Sequence, residues 1–310
     1  MKALITGASS GIGKEMAKYL SDKGIDLVLV ARDQKKLEEV KSKLKTDTEI
    51  VCIDLGDEKN CIELYKNVKD IDILINNAGF GTYGEFIDSD LIEDLNMITL
   101  NVCAVHTLSK LYLQDMYKKN SGYILNVASI ASFMPGPHMA TYHATKAYVL
   151  KLTQGIYEEL KRNNSNVKIS ALCPGPIETP FLDRANVKFK TKVMEPKYVA
   201  KYAIDNMFKG KYMILPGANN KCIRLLSKIV PDKLIGKIVI NSEEARSWDI
   251  MKIGIALSRW RNKRSSTYWS FTCIRRKRNK NWCNFWNICR VNNCSTLWNE
   301  IYNRWNNKTI

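Results

Sequence analysis

Tyrosine and lysine recur four residues apart in this 310-residue chain, at Tyr19/Lys23, Tyr65/Lys69, Tyr142/Lys146 and Tyr157/Lys161. On a helix this spacing puts both side chains on one face. A phenol has a pKa of about 10, too high for efficient proton transfer at neutral pH, and a neighbouring ammonium brings it down by favouring the phenolate. Thirteen residues before the four tyrosines stand Thr6, Cys52, Ser129 and Ala144, respectively. Ser129 closes the apolar run "GYILNVAS". A hydroxyl at the C-terminal edge of a strand, where open α/β sheets bind ligands, singles out the pair Tyr142/Lys146. A phenol and a hydroxyl so placed could exchange a proton with a ligand bound there or donate one to it, which makes Ser129 and Tyr142 the candidate contacts. His106, His138 and His143 show no metal-ligand spacing and read as structural or surface residues, so no metal is expected.

A hydride source is suggested at the other end of the sequence. "KALIT" reads as a strand and "KEMAKYLSDKG" as a helix, with "GASSGIG" between them. Gly7, Gly11 and Gly13 suit a tight turn, and the backbone around Ser9, Ser10 and Ile12 would approach a pyrophosphate at the helix N-terminus. The spacing is G-x-x-x-G-x-G rather than the commoner G-x-G-x-x-G. At the end of the second strand, where NAD-selective sites place an acid, Ala31 is followed by Arg32. Arg32 has two readings: a partner for the 2′-phosphate of NADP(H), which is favoured over NAD, or a solvated surface arginine. Asp54 and Leu55, after the third strand, would border the adenine. Asn77, Ala78 and Gly79, in "NNAG", would end the fourth strand beside the cofactor.

Alternating strands and helices position these groups. Apolar runs at 2–6, 25–31, 49–55, 71–79, 122–129, 167–176 and 211–217 alternate with helical patterns. This predicts an α/β fold, a doubly wound, Rossmann-like parallel sheet of about seven strands.

Taken together, "TGASSGIG", Asp54, "NNAG", Asn101, Ser129, "YHATK" and "PGPIETP" stand in the order found in short-chain dehydrogenases/reductases, and residues 1–240 resemble that family. The resemblance implies a catalytic tetrad of Asn101, Ser129, Tyr142 and Lys146. Lys146 would also hold the nicotinamide ribose, and Asn101 would carry a water relay to Lys146. By itself, Asn101 reads equally as a polar residue that kinks a helix. The resemblance further implies that Pro174, Gly175, Ile177 and Thr179 contact the nicotinamide and pyrophosphate, and that the protein is a homodimer or homotetramer acting on a small carbonyl or alcohol, lipid-like compounds included. A non-catalytic dinucleotide sensor is the rival on the same fold.

The net charge of +17 is uneven: residues from Arg259 onward contribute +11, and six of the seven tryptophans lie there. Cys52, Cys61, Cys103, Cys173 and Cys222 are scattered singly and read as reduced, buried thiols of a cytoplasmic protein. No signal peptide or membrane-spanning run is read. Residues 221–240, "KCIRLLSKIVPDKLIGKIVI", are basic and amphipathic. They read either as a helix at the mouth of the site or as a surface for an acyl chain or peripheral membrane contact.

Residues 241–310 form a junction and tail of another character. Cys283, Cys289 and Cys294 lack zinc-module spacing, and the apolar residues keep no sustained period. Reading one nucleotide later turns every tryptophan codon into a glycine codon. With permitted codons the shifted frame resembles the start of a patatin-like phospholipase, with a glycine-rich loop and a G-x-S-x-G turn. In-frame "MKIGIALS", at 251–258, supplies the preceding strand. The tail is therefore expected to be out-of-frame and unstructured. No nucleic acid partner is expected, although basic aromatic segments of this kind also suit one.

Overall fold

The computed structural model describes residues 1–185, 187–189, 193–230, 235, 239, 243–245, 258–261, 267–271 and 287–289. Strands and helices alternate from the start: β1 (Lys2–Thr6), α1 (Gly11–Asp22), β2 (Asp26–Ala31), α2 (Gln34–Lys41), β3 (Thr48–Cys52), α3 (Glu58–Asn67) and β4 (Ile73–Asn76). There follow α4 (Leu91–Ile98), α5 (Val105–Lys119), β5 (Tyr123–Val127), α6 (Ala140–Arg162) and β6 (Lys168–Leu172). The first unit, Met1–Ser247, is completed by α7 (Pro180–Ala185), β7 (Val187–Phe189), α8 (Pro196–Phe208), β8 (Met213–Ile214), α9 (Ala218–Ile229) and β9 (Glu243–Ala245).

Seven strands form one parallel sheet in the order β3-β2-β1-β4-β5-β6-β8. Successive residues of a strand point to opposite faces, and here each face meets helices. Ala3, Ile5, Leu27, Leu29, Ile73 and Ile75 pack with Met16 and Leu20 of α1, Leu37 of α2 and Ile204 of α8. Leu4, Val28, Leu74 and Ile124 pack with Leu64 of α3, Leu108 and Tyr112 of α5 and Leu160 of α6. This is the doubly wound, Rossmann-like arrangement. Its order reverses between β1 and β4, and the crevice at that switch point is where ligands bind.

A π-helical turn, Thr99–Ala104, which contains Asn101, divides α4 from α5. One local feature departs from the sequence reading: the cysteines are not uniformly buried. Cys61 and Cys173 are, but Cys52 ends the outermost strand β3 and Cys222 lies on the outer face of α9, and both are exposed.

In the second unit, Trp248–Ile310, β10 (Ser258–Arg261), β11 (Thr267–Phe271) and β12 (Asn287–Cys289) pair as an antiparallel sheet. The rest of 246–310 lies outside the described residues, and with it most of the expectation of an unstructured tail.

Candidate active site

A cavity of about 1840 Å³ runs along the C-terminal ends of the central strands. Its floor at one end is the glycine turn. Gly7 and Gly11 have φ of +65° and +55°, in the left-handed region where a Cβ is strained. A Cβ on Gly7 would stand 2.9 Å from Ala78 Cα, and one on Gly11 would stand 3.1 Å from Thr179 Cγ2. The turn is thus packed against the end of β4 and the 174–180 segment. Asn77 braces it: Nδ2 donates to the carbonyls of Thr6 and Gly7, at 3.0 and 3.1 Å. Gly13 does not reach the cavity. Its missing Cβ makes room for Asn77 Nδ2 and Gly7 O, each 2.5 Å from the position it would take.

Helices α2, α3 and α4 open on Asp33, Asp57 and Asp90, each accepting a backbone N–H of the first turn. Helix α1 opens on Ser10 without a side-chain cap and with no acid in its first turn. Its N-terminal N–H groups therefore face the cavity beside Ser9, Ser10, Gly11 and Ile12, a polarity suited to an anion. Further along, Arg32, Asp33, Lys36, Asp54 and Leu55 line the same cavity. Arg32 Nη1 lies 3.4 Å from Asp54 Oδ2, both groups more than half exposed. Lys36 pairs with Asp33 at 3.1 Å.

At the other end, Ser129, Tyr142 and Lys146 converge. Ser129 follows β5 and caps a short 3-10 turn, Ile130–Phe133. Its Oγ accepts the N–H of Ala131 at 3.1 Å, so its own proton remains for another acceptor. Ser132 Oγ donates to the Lys146 carbonyl at 2.8 Å and ties this turn to α6. Lys146 is buried, and its Nζ gives one proton to Val127 O at 2.9 Å. Burial lowers its pKa to about 8. Cys173 beside it is pushed up to about 12 by its own burial and so carries no countercharge. Lys146 Nζ is 5.8 Å from the centre of the Tyr142 ring, which is tilted against Phe181 at 5.4 Å.

Asn101 lies behind the cavity, fully buried in the π-helical turn. Its amide donates to Phe80 O and Thr145 Oγ1 at 2.8 and 3.1 Å, and its Oδ1 accepts Phe80 N at 3.1 Å. It joins the 79–80 turn to α6 one residue from Lys146. A Cβ on Gly79 would meet Asn101 Oδ1 at 2.8 Å and Lys146 Nζ at 3.4 Å, so the two groups flank that glycine.

Thr6 corrects one step of the sequence argument: it too ends a strand, thirteen residues before Tyr19. Its hydroxyl, however, is buried and accepts the N–H groups of Asn77 and Ala78 at 2.9 and 3.0 Å. Tyr19 binds Asp205 at 2.7 Å, on α8. That constellation is structural.

Pro174, Gly175, Ile177 and Thr179 line the cavity, as do Ala78 and Gly79. Sequence reading missed the apolar wall facing Tyr142: Met134, Met139, Phe181 and Val193. These residues come from separate loops and share no periodicity that could have marked them. His143, read from the sequence as structural or surface, is buried in the lining, and its Nδ1 lies 3.0 Å from Met134 O. Among the described residues no cluster of three metal-ligating side chains occurs.

Residues 1–188 match the family profile described as short chain dehydrogenase, and the chain belongs to that family. An uncharacterised oxidoreductase of Staphylococcus epidermidis is 35% identical over 185 residues, 58% of this chain and 80% of its own. Among solved structures, a short-chain dehydrogenase from Sphingobium yanoikuyae in complex with NADPH is 29% identical. It superposes with a TM-score of 0.65 over 74% of this chain and 96% of its own. The bulky-bulky ketone specific alcohol dehydrogenase from Comamonas testosteroni is 28% identical, with a TM-score of 0.64 over 74% of this chain and 91% of its own. The protein is an oxidoreductase dependent on a nicotinamide dinucleotide. Among the described residues no helix is long and apolar enough to cross a membrane.

Proposed function

We propose that this protein reduces a ketone to a secondary alcohol with NADPH, or oxidises that alcohol to the ketone with NADP. The observation that carries this reading is the convergence of Ser129, Tyr142 and Lys146 at one end of a cavity whose other end is an uncapped helix N-terminus. The chain fits the dinucleotide: Gly7 and Gly11, in left-handed backbone, let the turn pack tightly against Ala78 and Thr179 at the cavity's edge, and α1 presents its positive pole there. Gly7, Ser9, Ser10, Gly11, Ile12, Thr179 and the 174–177 backbone would hold the pyrophosphate and nicotinamide. When bound, the dinucleotide supplies or accepts the hydride.

The chain's own groups manage the proton. Tyr142 gives its phenolic proton to the substrate oxygen as negative charge develops there. The Ser129 hydroxyl, already accepting from Ala131, donates to the same oxygen. Lys146 has one proton on Val127 O and two left for the ribose and for charge stabilisation of the phenolate. Asn101 fixes the turn and helix that set these distances. Met134, Met139 and Phe181 suit an apolar substituent on the carbonyl, consistent with a lipid-like or bulky substrate.

NADP(H) preference rests on Arg32 and Lys36 at the adenosine end. The exposed Arg32–Asp54 pair contributes no more than about 1 kcal/mol, so the guanidinium can leave Asp54 for a 2′-phosphate. The reading takes the protein to be a cytoplasmic homodimer or homotetramer, as is common in its family. Tyr142→Phe tests the central claim. Turnover of NADPH with a ketone panel should fall at least about 100-fold while dinucleotide binding, read by fluorescence, persists. Near-parental kcat in the variant would remove Tyr142 from the proposed role.

A further inference from the structure

We propose that α9 docks this protein on an anionic lipid surface. One face of the helix is committed inward. Asn220 donates to Pro216 O at 2.6 Å, Ile223 and Ser227 line the cavity, and the Arg224 guanidinium lies 4.6 Å from the centre of the Phe133 ring. The other face is open to solvent yet apolar: Leu225 and Ile229 are 61% and 72% exposed, and Leu226, 56% exposed, stands between this face and the cavity rim that it also lines. At helical pitch Cys222, Leu225 and Ile229 form one ridge with Leu226 beside it, and Lys221 and Lys228 flank the ridge.

Charge decides what covers it. The helix "ANNKCIRLLSKI" carries three cations and no acid, and among the described residues neither Lys221 nor Lys228 forms an ion pair. The other exposed apolar stripe, Leu91, Ile92, Leu95 and Ile98 of α4, has Asp90 and Glu93 beside it and would be repelled by anionic headgroups. An apolar ridge with a lysine flank matches the boundary between acyl chains and anionic headgroups, whereas a nucleic acid would leave the leucines without apolar partners. Because Ile223 and Ser227 form the cavity wall on the reverse of the same helix, docking would set that wall at the lipid surface.

Flotation of the full-length protein with vesicles of phosphatidylcholine and phosphatidylglycerol, against phosphatidylcholine alone, tests this. The tail beyond Ser258 is also basic, so variants of α9 decide the outcome. The parent should float with the anionic vesicles only. Leu225→Asp with Ile229→Asp should weaken flotation by about tenfold or more, the effect of withdrawing large aliphatic side chains from the interface. Lys221→Gln with Lys228→Gln should weaken it by about fivefold per charge and flatten its salt dependence. Turnover of a water-miscible ketone should stay within about twofold in both variants, as for other surface changes. Three results would overturn the proposal: flotation insensitive to both variants, equal flotation on neutral vesicles, or unchanged flotation with loss of a dimer in sedimentation velocity, which would make a second copy the occupant of the ridge.

Discussion

Replacing Lys146 by methionine separates what the fold needs from what the chemistry needs. The Lys146 ammonium is buried, and burial lowers its pKa from 10.5 to about 8. A depression of that size corresponds to about 3 kcal/mol of lost stability whenever the group is charged in both states. The folded value lies below the unfolded one, so the loss is complete below pH 8 and fades as pH rises towards 10.5. Methionine keeps the length of the side chain and removes the charge. It also removes the hydrogen bond to Val127 O, worth about 1 kcal/mol. Lys146→Met should therefore be more stable than the parent by about 2 kcal/mol near neutral pH. That advantage should shrink or vanish by about pH 10. Turnover with NADPH and a ketone should fall at least about 100-fold, because the phenolate loses its neighbouring charge. Urea unfolding at the two pH values, alongside steady-state kinetics, measures both effects. A variant less stable than the parent near neutral pH, with the difference independent of pH, would refute the assignment of Lys146 as a strained, functional ammonium.

Other substitutions probe the remaining parts of the site. Arg32→Ala should lower kcat/KM for NADPH by about ten- to a hundredfold and spare NADH; equal losses for both cofactors would put the discrimination elsewhere. A chain ended after Ser247, where the two units divide, should keep its ketone reductase activity, whereas one ended at Val230 should lose it, since Ile235 and Val239 line the cavity; equal activities would contradict this. A Cβ on Gly136 would come within 2.1 Å of the His143 ring, so Gly136→Ala should destabilise by about 1–3 kcal/mol. Adding His143→Ala should restore part of that stability, and strictly additive losses in a double-mutant cycle would show that the ring is not the obstacle.

How much of this was legible in the chain depends on how locally each feature is encoded. The sheet could be read because each strand is a short apolar run bounded by turn residues, and both faces of such a sheet are buried. The dinucleotide end was legible for the same reason: Gly7, Gly11 and Gly13 are a contiguous turn between a strand and a helix. Tyr142 and Lys146 were legible by helical spacing, but the choice of their partner was only half decided by position. Thr6 also ends a strand, and what separates it from Ser129 is the two backbone N–H groups that occupy its oxygen, a fact of the β1–β4 junction that linear sequence does not carry.

The apolar wall of the cavity and the polar layer beneath α6 were hidden more deeply. Asn76, Ser109, Asn126 and Thr153 are buried and linked: Asn76 Nδ2 donates to Ser109 Oγ and Asn126 Oδ1, and Asn126 Nδ2 to Thr153 Oγ1, at 2.8–3.0 Å. Asn76 and Asn126 are register partners on β4 and β5, while Ser109 and Thr153 come from α5 and α6. An isolated polar residue in an apolar strand reads as an interruption. Only the register shows that two such interruptions face each other and receive a helix each. Buried polar groups of this kind are costly unless hydrogen-bonded. Asn76 Oδ1 is left without a partner, but the Asn126–Thr153 bond ties α6 to β5, below the turn of α6 that carries Tyr142 and Lys146. The spacing of Ser129, Tyr142 and Lys146 is visible in the sequence; the buried bonds that hold α5 and α6 to β4 and β5 beside it are not.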